Sequence, residues 1–339
     1  MARKETTGIR KPMSEETRAK IAAAVKEKAR QKRIEAGLPA DGTTPRIPDR
    51  SRELELVRMK DQEFDPALFV PMPTGRPIDQ IFTLEGGLPK ATNYMVVGDP
   101  GVGKSTVTLD IISDLMKAGN KCLFISAEMT RIDLYKYVQR YPKFGEIDIL
   151  FLGEYIDDNP KAVVEEALST GYDVVLIDSF VEVQEAVKEV NRMTTSGSEK
   201  WLIDQMIRNN LANNEAKKHT TFLAIQQVTK GGVFVGSNKL KHNTTGMMEI
   251  RYEDELAETS YIMFTKNRRG PVNRKMYFSL RENGDVQYDQ KRFTIDEGAR
   301  ETYESERRQI EDEEDAFDKL LGTGQLDVKI GQEDNPFGN

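Results

Sequence analysis

Asn93-Tyr94-Met95-Val96-Val97 runs directly into Gly98-Asp99-Pro100-Gly101-Val102-Gly103-Lys104-Ser105, and Thr106-Val107-Thr108-Leu109 follows. An apolar run, a glycine-rich stretch and a helix-forming stretch make a strand–loop–helix unit. The glycine-rich stretch fits the phosphate-loop pattern Gly-x-x-x-x-Gly-Lys-Ser in full. Its glycines let successive backbone N–H groups wrap phosphate oxygens at the N-terminus of the next helix. In that arrangement Lys104 neutralises the β- and γ-phosphates and Ser105 ligates Mg²⁺. Gly98, Asp99, Pro100, Gly101, Val102, Gly103, Lys104, Ser105 and Thr106 are therefore the expected nucleotide-binding residues, with ATP and Mg²⁺ as cofactors.

Working outward, strands and helices alternate. The pattern predicts a helix over Ser105–Met116 and a strand over Lys121–Ser126. A helix over Val163–Leu168 precedes a buried strand, Asp173–Ile177. Trp201–Leu211 reads as a helix and Thr221–Ile225 as the next strand. Tyr261–Thr265 and Lys275–Leu280 close the sheet, and Glu282–Asp285 is a turn on Asn283-Gly284. This alternation means an α/β fold with a mainly parallel sheet covered by helices.

Several polar residues fall at predicted strand ends. Val174-Val175-Leu176-Ile177-Asp178 is four apolar residues and then a carboxylate, which places Asp178 to hold Mg²⁺ beside Ser105. Phe124-Ile125-Ser126-Ala127-Glu128 puts a second carboxylate at a neighbouring tip. Ligands of open α/β sheets sit at these carboxyl ends, so Glu128 is a candidate base for the attacking water. The plainer alternative is a surface glutamate that starts a helix. Gln226 and Gln227 end another strand at the same edge, where a polar side chain can report loss of the γ-phosphate or simply terminate a strand. Val228 to Gly246 is glycine-rich and basic, with Lys230, Lys239, Lys241 and His242. It reads as a functional loop that suits phosphate backbones, or as a solvated one. Lys266-Asn267-Arg268-Arg269-Gly270-Pro271 gathers cations at a strand end. That suits either a finger reaching a neighbouring subunit's γ-phosphate or a basic turn. His219 and His242 offer no metal cluster.

Composition sets outer limits. The 339 residues are 38% apolar and 31% charged, with a net charge of -7. No apolar run approaches the roughly 20 residues that span a bilayer. The charged start, Met1 to Lys11, lacks the apolar stretch of a secretory signal. Cys122 is the single cysteine, so neither an internal disulfide nor a cysteine zinc site is expected. A cytoplasmic location follows from these features. Residues 1–69 are expected to be a basic arm and linker, with a helix over Ile21–Arg33 that starts near Ser14. Residues 70–300 are expected to form the nucleotide-binding domain. Residues 301–339 are expected to be an acidic, disordered tail, because Glu311-Asp312-Glu313-Glu314-Asp315 is a self-repelling block.

The order of motifs resembles a known core. Thr74-Gly75 and Gly86-Gly87-Leu88 ahead of the loop, then Glu128 and Val175-Leu176-Ile177-Asp178-Ser179, resemble the RecA-type ATPases. Val228-Thr229-Lys230-Gly231-Gly232 with Gly236 and Lys239-Leu240-Lys241-His242 resembles the bacterial RadA (Sms) family. Lys266-Asn267-Arg268-Arg269-Gly270 is similar to that family's signature, which has Phe where this chain has Arg269. Gly270-Pro271 with the following strand also resembles DnaB-type replicative helicases.

The resemblance implies Glu128 as catalytic base and Gln227 as γ-phosphate sensor. It implies Lys266 and Arg268 as fingers acting in trans, and Lys230 with its loop, including Lys239 and Lys241, as a DNA contact. It further implies a hexameric ring of identical chains that moves on single-stranded DNA in replication or recombination. The sequence departs from RadA in lacking its four-cysteine zinc module and in having a tail too short for its protease-like domain. Residues 1–69 are too small and polar for the DnaB helical domain. Gly8 to Ile21 instead resembles small DNA-binding modules attached to homing nucleases. A second expectation, from clock-type RecA relatives, is an ATP-switched assembly protein that unwinds nothing.

Overall fold

The computed structural model describes residues 15–35, 56–226, 240, 243–254, 256, 259–281 and 285–322. In chain order the elements are α1 (Glu15–Glu35), α2 (Asp79–Phe82), β1 (Asn93–Gly98), α3 (Lys104–Lys117), β2 (Cys122–Ser126) and α4 (Arg131–Arg140). β3 (Asp148–Phe151), α5 (Pro160–Ser169), β4 (Val174–Asp178), α6 (Phe180–Val190), α7 (Thr195–Asn210) and β5 (Thr221–Gln226) follow. β6 (Gly246–Asp254), β7 (Thr259–Asn267), β8 (Met276–Leu280), β9 (Val286–Tyr288) and α8 (Gln290–Gly322) complete the described chain.

The strands form one sheet in the order β3-β2-β4-β5-β1-β6-β7-β8-β9. Pairing is parallel from β3 through β6 and antiparallel from β6 to β9. Both faces of the central strands β2, β4, β5 and β1 are covered, so these strands are mostly apolar, and alternate side chains enter opposite cores. Tyr94 and Val96 of β1 join Val107 and Ile111 of α3, Phe124, Leu176 and Phe264 on one face. Met95 and Val97 join Ile177, Phe180, Trp201, Met206 and Phe222 on the other, under α5, α6 and α7. Cys122 is buried in the first core. No helix among the described residues is long and apolar enough to cross a membrane.

The chain divides at Glu63/Phe64 into two units, ahead of the expected boundary at residue 69. Phe64 packs edge-on against Phe69 at 6.0 Å, and Lys90 Nζ donates to Ala67 O at 3.0 Å. These contacts tie the segment to the nucleotide-binding unit. In the other unit, α1 starts at Glu15, beside the expected start near Ser14, and ends at Glu35, just past the expected Arg33.

At the far end a helix crosses residue 301, where the acidic tail was expected to begin. α8 runs without a break from Gln290 to Gly322, across that boundary and through the Glu311–Asp315 block. Asp289 Oδ1 accepts from Arg292 N at 2.9 Å and so caps its first turn. Strong helix formers and an Arg307–Glu311 pair at 2.8 Å carry it onward. Side chains 301–319 are all exposed. Residues 323–339 lie outside the described chain, as do 282–284 of the expected Asn283-Gly284 turn.

Candidate nucleotide site

The parallel register brings the polar strand ends to one edge. Ser126 pairs with Asp178, Asp178 with Ile225, and Val97 with Gln226. The carboxyl ends of β2, β4, β5 and β1 therefore lie side by side. A cavity of about 460 Å³ opens there, lined by Gly98, Gly101, Gly103, Lys104, Ser105, Thr106, Glu128, Met129, Tyr137, Asp178 and Ile225.

The loop's shape follows from local contacts. Gly98 enters it beside Ile250 of β6; a Cβ there would lie 2.2 Å from the Ile250 carbonyl oxygen, so only glycine passes. α4 to α7 each begin with a side-chain cap from Thr130, Asn159, Ser179 and Thr194. α3 begins at Gly103, which has no side chain to play that part. The first amides of α3 thus point into the cavity without a side-chain acceptor, which is the condition for anion binding at a helix N-terminus.

The charged groups are tightly arranged. Lys104 Nζ donates to the carbonyls of Gly98 at 3.0 Å and Asp99 at 2.9 Å. Burial lowers its pKa, and the charges of Asp178, Glu128 and Asp99 oppose that shift. Ser105 Oγ donates to Asp178 Oδ2 at 2.5 Å. Burial pushes the Asp178 carboxyl up to about 6; Ser105 and Lys104 resist, and the like charge of Glu128 adds to the rise. Ala127 N and Glu128 N both donate to Asp178 O, at 2.8 and 3.3 Å. The tip of β2 is thereby folded over β4, and Glu128 is carried to the cavity.

A hydroxyl beside a carboxylate is an all-oxygen donor set of the kind a hard cation such as Mg²⁺ prefers. Ser105 and Asp178 thus fit the metal expected with a bound nucleotide.

Residues 72–148, which hold the loop and Glu128, match the family described as "ATPase: KaiC". The chain carries a RecA-like P-loop ATPase core. It is 26% identical over 201 residues to the DNA repair protein RadA of Campylobacter jejuni, covering 59% of this chain and 43% of that relative. It is 28% identical over 213 residues to the DNA repair protein RadA of Streptococcus pyogenes, covering 60% and 42%. The chain thus spans less than half the length of these relatives. Among solved structures, a KaiC-like protein of Pyrococcus horikoshii superposes with a TM-score of 0.48 at 18% identity, covering 65% of this chain and 99% of that one.

The other expected residues separate into two groups. Gln227, Lys230, Lys239 and Lys241 lie outside the described residues; Gln226, at the end of β5, is buried at the edge of the site. Lys266 and Arg268 lie elsewhere in the ATPase core. Asn267 pairs with Gly246, the first residue of β6, and Arg268 N donates to Thr245 O at 3.1 Å. Because β6 runs parallel to β1, its start lies at the edge opposite the loop. Arg268 stands about five residues, or roughly 16 Å of strand, below the Gly98–Ile250 pair. Lys266 Nζ donates to Thr244 O at 2.7 Å, and burial with the nearby Arg268 charge lowers its pKa. Asn267 Nδ2 donates to Phe82 O at 2.9 Å. A Cβ on Gly270 would meet that same oxygen at 2.0 Å. Asn267 and Gly270 therefore anchor this turn.

Three contributors to the site escaped the sequence reading. Tyr137 of α4 lines the cavity, and its hydroxyl meets the Thr106 hydroxyl. Its ring packs against Tyr141 and Phe144, and burial pushes the phenol up to about 12. Met129 follows Glu128 in the wall. Arg251 of β6 bonds to the loop itself, at Asp99. The alternation Met248, Ile250, Tyr252 was the available signal for β6, and all three side chains enter the α3-side core.

Proposed function

We propose that the chain is a cytoplasmic motor that couples ATP hydrolysis to movement on single-stranded DNA, in a ring of identical copies, in DNA repair, recombination or replication. In this reading Lys104 leaves the Gly98 and Asp99 carbonyls for the β- and γ-phosphates, and the open amides of α3 cradle them. Ser105 and Asp178 hold Mg²⁺, which supplies neutralising charge to the phosphates when bound. Glu128 orients water and takes its proton, and Gln227 reports the γ-phosphate. Lys230, Lys239 and Lys241 meet the DNA backbone. Lys266 and Arg268 serve the site of the next copy.

The observation that carries the assembly is the strand register of the cationic turn. Lys266 and Arg268 sit at the sheet edge opposite their own phosphate loop, so charge stabilisation by them requires a neighbour's nucleotide. Similarity to proteins named for DNA repair supports the DNA substrate. The match over residues 72–148 to the KaiC ATPase family favours a second reading, an ATP-switched assembly protein. ATPase rate with and without single-stranded DNA separates them. The motor reading expects stimulation of severalfold or more, and an unchanged rate in protein that binds ATP favours the switch.

A further inference from the structure

The phosphate loop contains an apparent contradiction. Asp99 is its second residue, and a carboxylate there opposes a ligand that carries several negative charges. β6 supplies a cation for it. Arg251 Nη1 donates to Asp99 Oδ1 at 2.8 Å, while its Nε lies 3.3 Å from Glu249 Oε2 on the same strand. Ile250 pairs with Gly98, so the guanidinium is delivered by the strand that flanks the loop's entry. The Arg251 side chain is 20% exposed, which limits screening by solvent. Lys104 lies within the field of both partners, and the two act on it with opposite sign.

We propose that Arg251 is a positioning residue for ATP binding, acting through Asp99: it holds and neutralises the loop carboxylate on the β6 side, so that Lys104 and the α3 amides present net positive charge to the triphosphate. Arg251 itself touches no substrate. The inference rests on Gly98–Ser105 being the phosphate cradle.

The experiment is binding of a fluorescent ATP analogue with Mg²⁺ to the full chain, with thermal melting as a check on folding. Arg251→Gln keeps much of the side chain's bulk and removes its charge; ATP affinity should fall about tenfold or more, and ADP affinity by less, because the penalty grows with ligand charge. Arg251→Lys should recover most of the loss. Asp99→Asn removes the charge that Arg251 offsets, so combined with Arg251→Gln it should bind ATP at least about fivefold tighter than Arg251→Gln alone. Equal ATP affinity for Arg251→Gln and wild type would overturn the proposal. So would a double variant as weak as the single one, since Arg251 would then be a mechanical tether. If Arg251→Gln fails to fold, Arg251→Lys and the double variant are compared with wild type: ATP affinity within about threefold for both supports the proposal, and a loss of about tenfold in both overturns it. Lys104→Ala is the separate control: undiminished ATP affinity there would remove the phosphate cradle itself, and the proposal with it.

Discussion

At the scale of residues, the site holds two carboxylates in different environments, which suits the different tasks proposed for them. Asp178 is 2% exposed, bonded to Ser105 and beside Glu128. Burial raises its pKa to about 6, so a cation that shares the site favours the ionised form further. Glu128 stands at the tip of β2, where water can reach it. Glu128→Gln should therefore leave ATP binding intact and slow turnover by about 10²–10⁴-fold, the usual contribution of a positioned base. Single-turnover hydrolysis checks this, and a rate above roughly a tenth of wild type removes Glu128 from that role. Asp178→Asn should act differently. The Asp178 pKa is raised in the folded state, so ionisation costs stability above pH 6 and costs none below the unfolded value near 4. The nucleotide-free variant should melt higher than wild type at pH 8, by a free energy of at most about 3 kcal/mol, with the difference shrinking toward pH 4. It should also lose the extra stability that ATP with Mg²⁺ confers on wild type. A lower melting point at pH 8 would mean that the Ser105 bond outweighs the buried charge.

These residues were readable in sequence to very different degrees. Lys104, Ser105 and Asp178 were visible because phosphate binding fixes their spacing within a strand–loop–helix unit or at the end of an apolar run. Arg251 and Tyr137 were not, because they reach the loop only through strand pairing and helix packing, across 152 residues of chain for Arg251 and Asp99 and 31 for Tyr137 and Thr106. Asp99 was visible as part of the loop, yet its partner was beyond any local pattern.

At the scale of elements, hydrophobic runs bounded by Gly, Asn or Asp located β1, β2, β4, β5, β7 and β8. The sheet edges were harder. β3 is only half covered, and β6 places Glu249, Arg251, Glu253 and Asp254 among its apolar positions, which hides the strand from a count of hydrophobic residues. α8 shows a different limit: charge repulsion in the Glu311–Asp315 block argues for disorder, while capping by Asp289 and helix propensity favour the helix. Because side chains 301–319 are exposed, that stretch of α8 buries nothing in the sheet's two cores. Deleting residues 301–339 should remove helical signal in circular dichroism and leave the melting temperature of the remaining chain within about 2 °C of full length, the range expected when less than about 0.5–1 kcal/mol is lost. A fall of 5 °C or more would show that this segment stabilises the fold.

At the scale of the whole molecule, the question is whether one chain holds a complete catalytic site. In the proposed function the residues at the loop edge bind, orient or deprotonate, while the cationic turn at Lys266 and Arg268 lies across the sheet. If it meets charge that develops only in the transition state, it must do so on another copy. Head-to-tail interfaces of that kind close into rings when the rotation permits. Lys266→Ala and Arg268→Ala should each bind ATP as wild type does and lose hydrolysis. Mixing gives the sharper test. In rings made from equal amounts of Arg268→Ala and Glu128→Gln chains, an interface is complete wherever an Arg268→Ala chain supplies the site and a Glu128→Gln neighbour supplies the finger. Random assembly of independent head-to-tail interfaces makes that about one in four, so ATPase activity should recover to about a quarter of wild type from two inactive parents. A finger acting within its own chain gives no recovery, because every chain then lacks one half of its own machinery. Co-purification through different tags on the two variants establishes that the rings are mixed. Mixed rings with no activity would place the cationic turn outside catalysis in trans.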